Sequence, residues 1–172
     1  IYFNRPELYR TPQADYHDNA ERFIFFSRAV PELCRILDFS PHIIHCNDWQ
    51  TGLVPLYLKK FYNDVAQLRH ARTVFTIHNL SFLGLVPLAD GPSLGLGPEH
   101  VEAGEHQGQL SLLKLGIVLA DRLTTVSPRY AAEIQTPEQG AGLDGILRGR
   151  RDRLLGILNG IVGEAAFSEP LA

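Results

Sequence analysis

Residues 41–55 have the sequence PHIIHCNDWQTGLVP, and this stretch decides the fold. Residues 42–46 form a short apolar run rich in β-branched side chains, which is typical of a buried strand. Polar Asn47 and Asp48 end that run. Residues 51–63 then have the pattern of a helix that tolerates Pro55 near its first turn. The stretch therefore predicts a buried strand, a polar turn and a helix.

Three further buried strands are predicted on the same grounds, at 72–77, 122–126 and 155–158. Apolar residues at helical spacing predict helices over the intervening and preceding segments: 19–38 with a kink or break at Pro31, 109–120, 129–135 and 143–153. Glycine and proline predict loops at 1–15 and 81–104. Strands that alternate with helices indicate parallel pairing. The predicted fold is therefore a doubly wound, Rossmann-like parallel α/β sheet.

Polar side chains follow each predicted strand. Asp48 follows the first strand, His78 and Asn79 follow the second, and Asn159 follows the last. In open parallel sheets, ligands bind outside the carboxyl ends of the strands. A carboxylate, an imidazole, amides and the indole of Trp49 are the groups that a sugar site needs, because they bind hydroxyls or cover an apolar pyranose face. These strand ends predict a sugar site.

Structural roles for the same residues remain open at this point. Asp48 is also a plausible N-cap for the helix that begins near Thr51, and His78 is equally typical of a satisfied core histidine. Trp49, the single tryptophan, is more often a packing residue than a ligand platform. The position of Asp48 and His78 at consecutive strand ends favours a site. At the helix start after 122–126, Ser127 is expected to cap and Pro128 to take the first position.

Composition excludes several other classes. The formal net charge of −3 is unlike the basic surface of a nucleic-acid-binding protein. The sequence has no apolar run of membrane-spanning length and no signal-peptide pattern. Its two cysteines form no CxxC pair, which fits a reducing compartment such as the cytoplasm. A metal hydrolase using His45, Asp48 and His78 is disfavoured, because strand geometry sends His42 and His45 to opposite faces.

Residues 41–55 resemble the HxHDWHTGLVP segment of glycogen and starch synthases. Further segments resemble that family in the same order along the chain: DNAERF at 18–23, TIHNL at 76–80, SLLK at 111–114, ADRLTTVSP at 120–128, EIQTPE at 133–138, GLDG at 142–145 and ILNG at 157–160. Tyr2 and Arg5-Pro6 fit as well. The resemblance covers about residues 2–161, and its collinear motifs make it specific.

The resemblance implies a two-domain glycosyltransferase of GT-B fold, family 5 type. Such an enzyme transfers glucose from ADP-glucose to the non-reducing end of an α-1,4-glucan, with retention and without a metal or other cofactor. It also implies catalytic roles for Asp48 and His78, and substrate binding by Tyr2, Trp49, Asn79 and Asn159. A cytoplasmic location, or the plastid stroma in a plant, follows from the same resemblance. The choice between ADP- and UDP-glucose, and between glycogen and starch, stays open.

Departures from the family pattern support a second hypothesis. Asn47 replaces the second histidine of HxH, Gln50 replaces the histidine after Asp-Trp, Leu83 replaces a common glutamine, and Val162 replaces an aspartate. Asn47, Gln50 and Leu83 support the alternative, which is a non-catalytic glucan- or sugar-binding lobe.

Residues 1–162 are expected to be part of an N-terminal catalytic domain, followed by a divergent tail at 163–172. The chain contains no methionine, and it has neither the Lys-Thr-Gly-Gly donor loop nor the C-terminal GT-B lobe of the family. We therefore expect a fragment that is inactive by itself.

Overall fold

A computed structural model describes residues 2–14 and 16–160. Val162 and the proposed tail at 163–172 lie outside the described residues. In chain order the helices and strands are α1 (Asn19–Ile36), β1 (Ile43–Asn47), α2 (Val54–Phe61), β2 (Arg72–Ile77), β3 (Leu85–Pro87), α3 (Pro98–Gly104), β4 (Glu105–His106), β5 (Gln109–Ser111), α4 (Leu112–Leu119), β6 (Arg122–Thr125), α5 (Pro128–Glu133), α6 (Asp144–Gly149) and β7 (Leu154–Gly156).

The main sheet contains the four strands predicted from the sequence. Its order is β1-β2-β6-β7, and every neighbouring pair is parallel. Helices occupy each connection between these strands, which confirms the predicted parallel α/β fold. Because the order follows the chain, right-handed crossovers place these connecting helices on one face of the sheet. All four carboxyl ends meet at a single edge, where ligands bind in such sheets.

The two faces of the main sheet differ sharply in burial. On one face, Cys46, Phe75 and Leu123 are fully buried in the core. On the other face, in the part of the chain that the structure describes, Ile43 and Leu155 are exposed. The burial pattern of β1 alternates accordingly, with its even-numbered residues buried. The connecting helices therefore pack on the face that carries Phe75.

The segment 81–104, predicted as a loop, consists largely of regular secondary structure. It contains β3, a 3₁₀ helix at Leu88–Leu94 and α3, and β3 pairs antiparallel with β5 in a second sheet of order β3-β5-β4. The glycines and prolines act at element boundaries: Gly95, with φ 75°, ends the 3₁₀ helix, and Pro98 begins α3. The loop prediction was wrong because these residues begin and end short helices and strands and do not mark a continuous loop.

Several other predictions of helix and strand extent also differ from the structure. Helix α1 continues through Pro31 without a break, because the buried proline ring packs in the interior and offsets the lost backbone hydrogen bond. Helix α4 begins at Leu112, since 109–111 forms β5 instead. Strand β7 covers 154–156, slightly earlier than predicted. At α5 the prediction is confirmed, because the Ser127 hydroxyl accepts the Tyr130 N–H at 2.9 Å and Pro128 occupies the first turn.

Burial predicts a large difference in reactivity between the two cysteines. Cys46 is buried, which raises the pKa of its thiol to about 12, whereas Cys34 is half-buried. Because only the thiolate is nucleophilic, we expect Cys34 to react with Ellman's reagent at pH 8 much faster than Cys46. Mass mapping of the labelled cysteine measures this order, and both should react in denaturant. Equal rates in the native protein would contradict the buried position of Cys46.

Candidate functional site

Asp48 and His78 meet at the carboxyl edge of the main sheet. Asp48 follows β1 and His78 follows β2, and these strands are neighbours. The Oδ1 atom of Asp48 accepts the backbone N–H of His78 at 2.8 Å, and the Asp48 N–H donates to the Thr76 carbonyl oxygen at 3.0 Å. The carboxylate therefore ties together the ends of two adjacent strands.

The alternative role of Asp48 as an N-cap is not what the structure shows. Asp48 occupies the cap position of a 3₁₀ helix at Trp49–Thr51, but its side chain makes no capping hydrogen bond. The hydroxyl of Thr51 instead accepts the Asn47 N–H at 2.6 Å and donates to the Asn47 carbonyl at 2.8 Å. The Asp48 carboxylate therefore bonds to the His78 backbone and does not cap the helix.

The backbone of Asp48 is strained. Its φ of 53° and ψ of −173° lie in a region that residues other than glycine rarely adopt. Such a conformation costs about 1–3 kcal/mol and persists only where surrounding contacts enforce it. Here the hydrogen bonds to Thr76 and His78 enforce it. Strain of this kind clusters at functional sites, which adds weight to a role for this carboxylate.

His78 is not a core histidine. Its side chain is exposed, and its Nε2 atom lies 2.9 Å from Oδ1 of Asn47. This contact is a hydrogen bond between the two side chains. Asn47, where the family has a histidine, therefore orients the imidazole of His78 at the sheet edge.

A cavity of about 430 Å³ opens beside Asp48. Its walls combine aromatic and polar side chains from the first 82 residues, namely Tyr9, Arg10, Asn19, Asp48, Trp49, Gln50, Asn79 and Phe82. This mixture suits a ligand with apolar faces and many hydroxyls.

Trp49 has both a packing and a lining position. Its ring meets that of Phe23 edge-on, with centroids 4.9 Å apart. The backbone of Gly84 also lies so close that a Cβ there would be 2.7 Å from the indole. The indole is therefore held rigidly, while part of it faces the 430 Å³ cavity.

The predicted site residues do not all line this cavity. Asp48, Trp49 and Asn79 do, and His78 lies beside it. Tyr2 instead donates a hydrogen bond to Glu21 on α1 and packs on another aromatic ring. Asn159 is exposed and follows β7. Strand β7 is three positions from β1 in the sheet, so the two strands lie about 14 Å apart.

Sequence reasoning missed four lining residues, Tyr9, Arg10, Asn19 and Phe82. The segment that carries Tyr9 and Arg10 contains no regular element longer than a single bridge, so no periodic signal marks it. It is held on α1 by side chains: the Asn19 amide donates to the Tyr9 carbonyl at 2.8 Å. Asn19 belongs to the DNAERF motif, and Phe82 follows TIHNL, so the family motifs were the available signal.

Arg5 and Asp18 anchor this segment. The guanidinium of Arg5 donates two hydrogen bonds to the Asp18 carboxylate, at 2.7 and 2.5 Å. This pairing lowers the pKa of the Asp18 carboxyl to about 2. Because the folded pKa lies below the ordinary value of 3.8, the stabilisation is fully present above about pH 4. It is lost as the pH falls through about 2.

Replacing Arg5 with methionine should loosen the segment that supplies Tyr9 and Arg10 to the cavity. The bidentate pair is lost, so trypsin should cleave after Arg10 faster than in the wild type. Mass spectrometry of a limited digest measures this rate. The matched control is Glu133→Gln, which removes the exposed i,i+4 pair with Arg129 on α5 and should leave cleavage after Arg10 unchanged. Unaltered cleavage in Arg5→Met would show that other contacts hold the segment.

Neither a metal-binding cluster nor a membrane-spanning helix occurs within the described residues. Within residues 2–14 and 16–160, no group of three or more histidine, cysteine, aspartate or glutamate side chains is placed to hold a metal ion. His45, one member of the alternative metal set, contacts the Thr76 hydroxyl at 2.6 Å. No helix of the described chain combines the length and the apolar character needed to cross a membrane.

Comparison with known proteins identifies the family. A family model described as the starch synthase catalytic domain matches residues 1–149. The chain belongs to this starch synthase catalytic-domain family. The resemblance drawn from the collinear motifs is therefore confirmed.

Relatives of this starch synthase domain are bacterial glycogen synthases. The chain is 49% identical over 162 residues to the glycogen synthase of Thermodesulfovibrio yellowstonii, with 93% of the chain and 33% of the relative covered. It is 54% identical over 149 residues to that of an Anaeromyxobacter species, covering 86% of the chain and 31% of the relative. The chain thus spans about a third of the length of the curated relatives it matches.

A solved structure also resembles the starch synthase domain. The catalytic domain of starch synthase IV from Arabidopsis thaliana, bound to ADP and acarbose, matches with a TM-score of 0.82 and 33% identity. The match covers 93% of this chain and 32% of that protein. It confirms the predicted α/β fold as part of a GT-B glycosyltransferase catalytic domain.

Proposed function

We propose that the full-length protein containing this chain is a glucosyltransferase of glycogen or starch synthesis. It transfers glucose from ADP-glucose to the non-reducing end of an α-1,4-glucan, with retention of configuration. The names of the bacterial relatives support the reaction, and the ADP in the structure of starch synthase IV supports the donor nucleotide. The proposed compartment is the cytoplasm, or the plastid stroma in a plant, and the bacterial relatives favour the former.

The observation that carries this proposal is the strained, strand-end position of Asp48. Its carboxylate joins β1 to β2 through the His78 N–H and lies in the wall of the 430 Å³ cavity. A carboxylate accepts hydrogen bonds from sugar hydroxyls, and the indole of Trp49 beside it covers an apolar face of a pyranose. A rigid group of this kind positions an acceptor without reorganising during the reaction.

The other proposed roles follow from the same edge. His78, oriented by Asn47, contacts the glucose being transferred, and Asn79 binds hydroxyls from the cavity wall. Tyr2 and Asn159 are proposed to line the wider cleft that forms with the rest of the protein. The donor phosphate accepts the proton of the acceptor hydroxyl, so these residues supply positioning and charge stabilisation.

Proposed partners are the nucleotide sugar, the glucan and a C-terminal GT-B lobe. The lobe is proposed because the chain covers 33% of its glycogen synthase relative. No nucleic acid or membrane surface is proposed as a partner.

Transfer of radiolabelled glucose from ADP-glucose to glycogen by the full-length protein tests the proposal. The labelled product should be released by an α-1,4-specific glucosidase, and UDP-glucose should be compared as donor. Absence of transfer from either donor, with a properly folded protein, would reject the proposed activity.

The 172-residue chain alone should transfer no glucose. A retaining transfer needs donor and acceptor held in one cleft, and this chain spans only about a third of its glycogen synthase relative. The same assay, run at high protein concentration, measures this. Transfer by the isolated chain would show that the described site is sufficient.

A non-catalytic glucan-binding lobe is the second candidate. The specific observation that favours it is the replacement of the family histidines by Asn47 and Gln50, with Asn47 in contact with His78. A full-length protein that binds glycogen but transfers nothing from either nucleotide sugar would support this alternative over the enzyme.

A further inference from the structure

Phe82 is an exposed aromatic residue in a fixed position. Its side chain is 62% exposed, although it follows the buried strand β2 by only a few residues. The preceding turn is held by Asn79, whose Oδ1 accepts the Ser81 N–H at 2.9 Å. After Phe82, Gly84 has φ 60° and packs against the Trp49 ring, where no side chain fits. Both flanks of Phe82 are therefore anchored while its ring stays open.

Phe82 lines two adjoining cavities. One is the 430 Å³ cavity beside Asp48, and the other has a volume of about 390 Å³. The two share Asn19, Trp49 and Phe82 in their walls, so they lie side by side. The second cavity is otherwise lined by Tyr16, His17, Ala20 and residues 81–86.

The second cavity has the chemistry of a neutral sugar site. Tyr16, His17 and Ser81 supply donors and acceptors suited to hydroxyls, and Phe82 supplies an apolar face. No lysine or arginine is among its lining residues, all of which belong to the described chain, so a phosphate group would find no permanent cation there. A polymer of linked sugars is the ligand class that needs two such cavities in succession.

We propose that Phe82 is a stacking platform for the glucan acceptor and that the 390 Å³ cavity is a second glucan subsite. An α-1,4-glucan that ends beside Asp48 passes over Phe82 and continues toward Tyr16 and His17. The proposal rests on the proposed function for the identity of the ligand. Phe82 acts in acceptor binding and is not a catalytic residue.

The test uses the full-length protein with Phe82→Ala, Phe82→Leu and the control Phe39→Ala. Phe39 is 59% exposed and lines neither cavity, so it matches Phe82 in exposure alone. Acceptors are maltose, maltotriose and maltoheptaose, with initial rates measured against acceptor and ADP-glucose. Both Phe82 variants should raise the KM for maltoheptaose about tenfold, a size expected for losing an aromatic anchor. They should leave the KM for ADP-glucose unchanged and flatten the gain with acceptor length.

Two outcomes would overturn the proposal. A KM for maltoheptaose in Phe82→Ala within twofold of the wild-type value would reject the stacking role of Phe82. Glucose transfer by that variant would still leave the proposed function intact. A KM for maltoheptaose in Phe82→Leu equal to the wild-type value would show that apolar bulk suffices without an aromatic ring. Folding of each variant is checked by circular dichroism.

If the wild-type protein transfers no glucose, the proposed function is rejected. Glycogen binding then tests the stacking role of Phe82 by itself. Affinity electrophoresis in gels containing glycogen then compares the three variants with wild type. Less retardation of Phe82→Ala than of Phe39→Ala supports the platform. Equal retardation of all four proteins overturns it.

Discussion

Asp48→Ala in the full-length protein should lower the rate of glucose transfer from ADP-glucose to glycogen by about 10³-fold. Loss of one preorganised charge-stabilising group typically costs 10²–10³ in rate, and here the carboxylate also holds the His78 backbone at 2.8 Å. The measurement is the initial rate at saturating donor and acceptor. A loss of less than tenfold would remove Asp48 from the catalytic site.

Asp48→Asn is the matched variant that separates the two roles of the carboxylate. Asparagine keeps an oxygen that accepts the His78 N–H, so the strand ends should stay joined while the negative charge is lost. If charge is the main contribution, Asp48→Asn should be nearly as slow as Asp48→Ala with a wild-type melting temperature. A rate close to wild type would assign the residue to positioning alone.

Gly52→Ala should strongly destabilise the fold. A Cβ on Gly52 would lie 2.0 Å from the Leu112 carbonyl oxygen and 2.6 Å from its carbonyl carbon, so backbone at the start of α4 would have to move. Overpacking of this kind costs about 3 kcal/mol or more, which exceeds the gain of about 1 kcal/mol from replacing glycine in a helical conformation. We expect a melting temperature lower by roughly 10 °C, measured by circular dichroism.

Gly149→Ala is the control for Gly52→Ala. Gly149 also lies at the end of a helical element, but a Cβ there would meet nothing within 4 Å. Its melting temperature should stay the same or rise slightly, because alanine favours the helix. Similar melting temperatures for the two variants would contradict the close approach of Gly52 to α4.

The main sheet could be predicted because its strands are short apolar runs ended by polar residues. The edge at which Asp48 and His78 meet follows from parallel pairing alone, before any family is considered. Their contact could be anticipated only as proximity. The choice of Asp48 between capping and bonding to His78 depends on the twisted backbone at φ 53°, which no sequence pattern encodes.

The rest of the cavity depends on contacts between residues distant in sequence. Tyr9 and Arg10 reach it because Arg5 binds Asp18 thirteen positions later and because Arg22 donates to the Leu8 carbonyl. Periodicity cannot detect such a segment, since it has no helix or extended strand of its own. Pro31 shows the opposite failure, where a strong local signal for a break was overridden by burial.

The close packing of Trp49 in the cavity wall has a practical consequence. It is the single tryptophan in the 172 residues, and it packs against Phe23 and Gly84 in the wall common to both cavities. Its intrinsic fluorescence in this chain therefore originates at the proposed sugar site and nowhere else. Ligands that displace water from the indole should shift that emission to shorter wavelength, so the chain carries its own unlabelled optical reporter of occupancy.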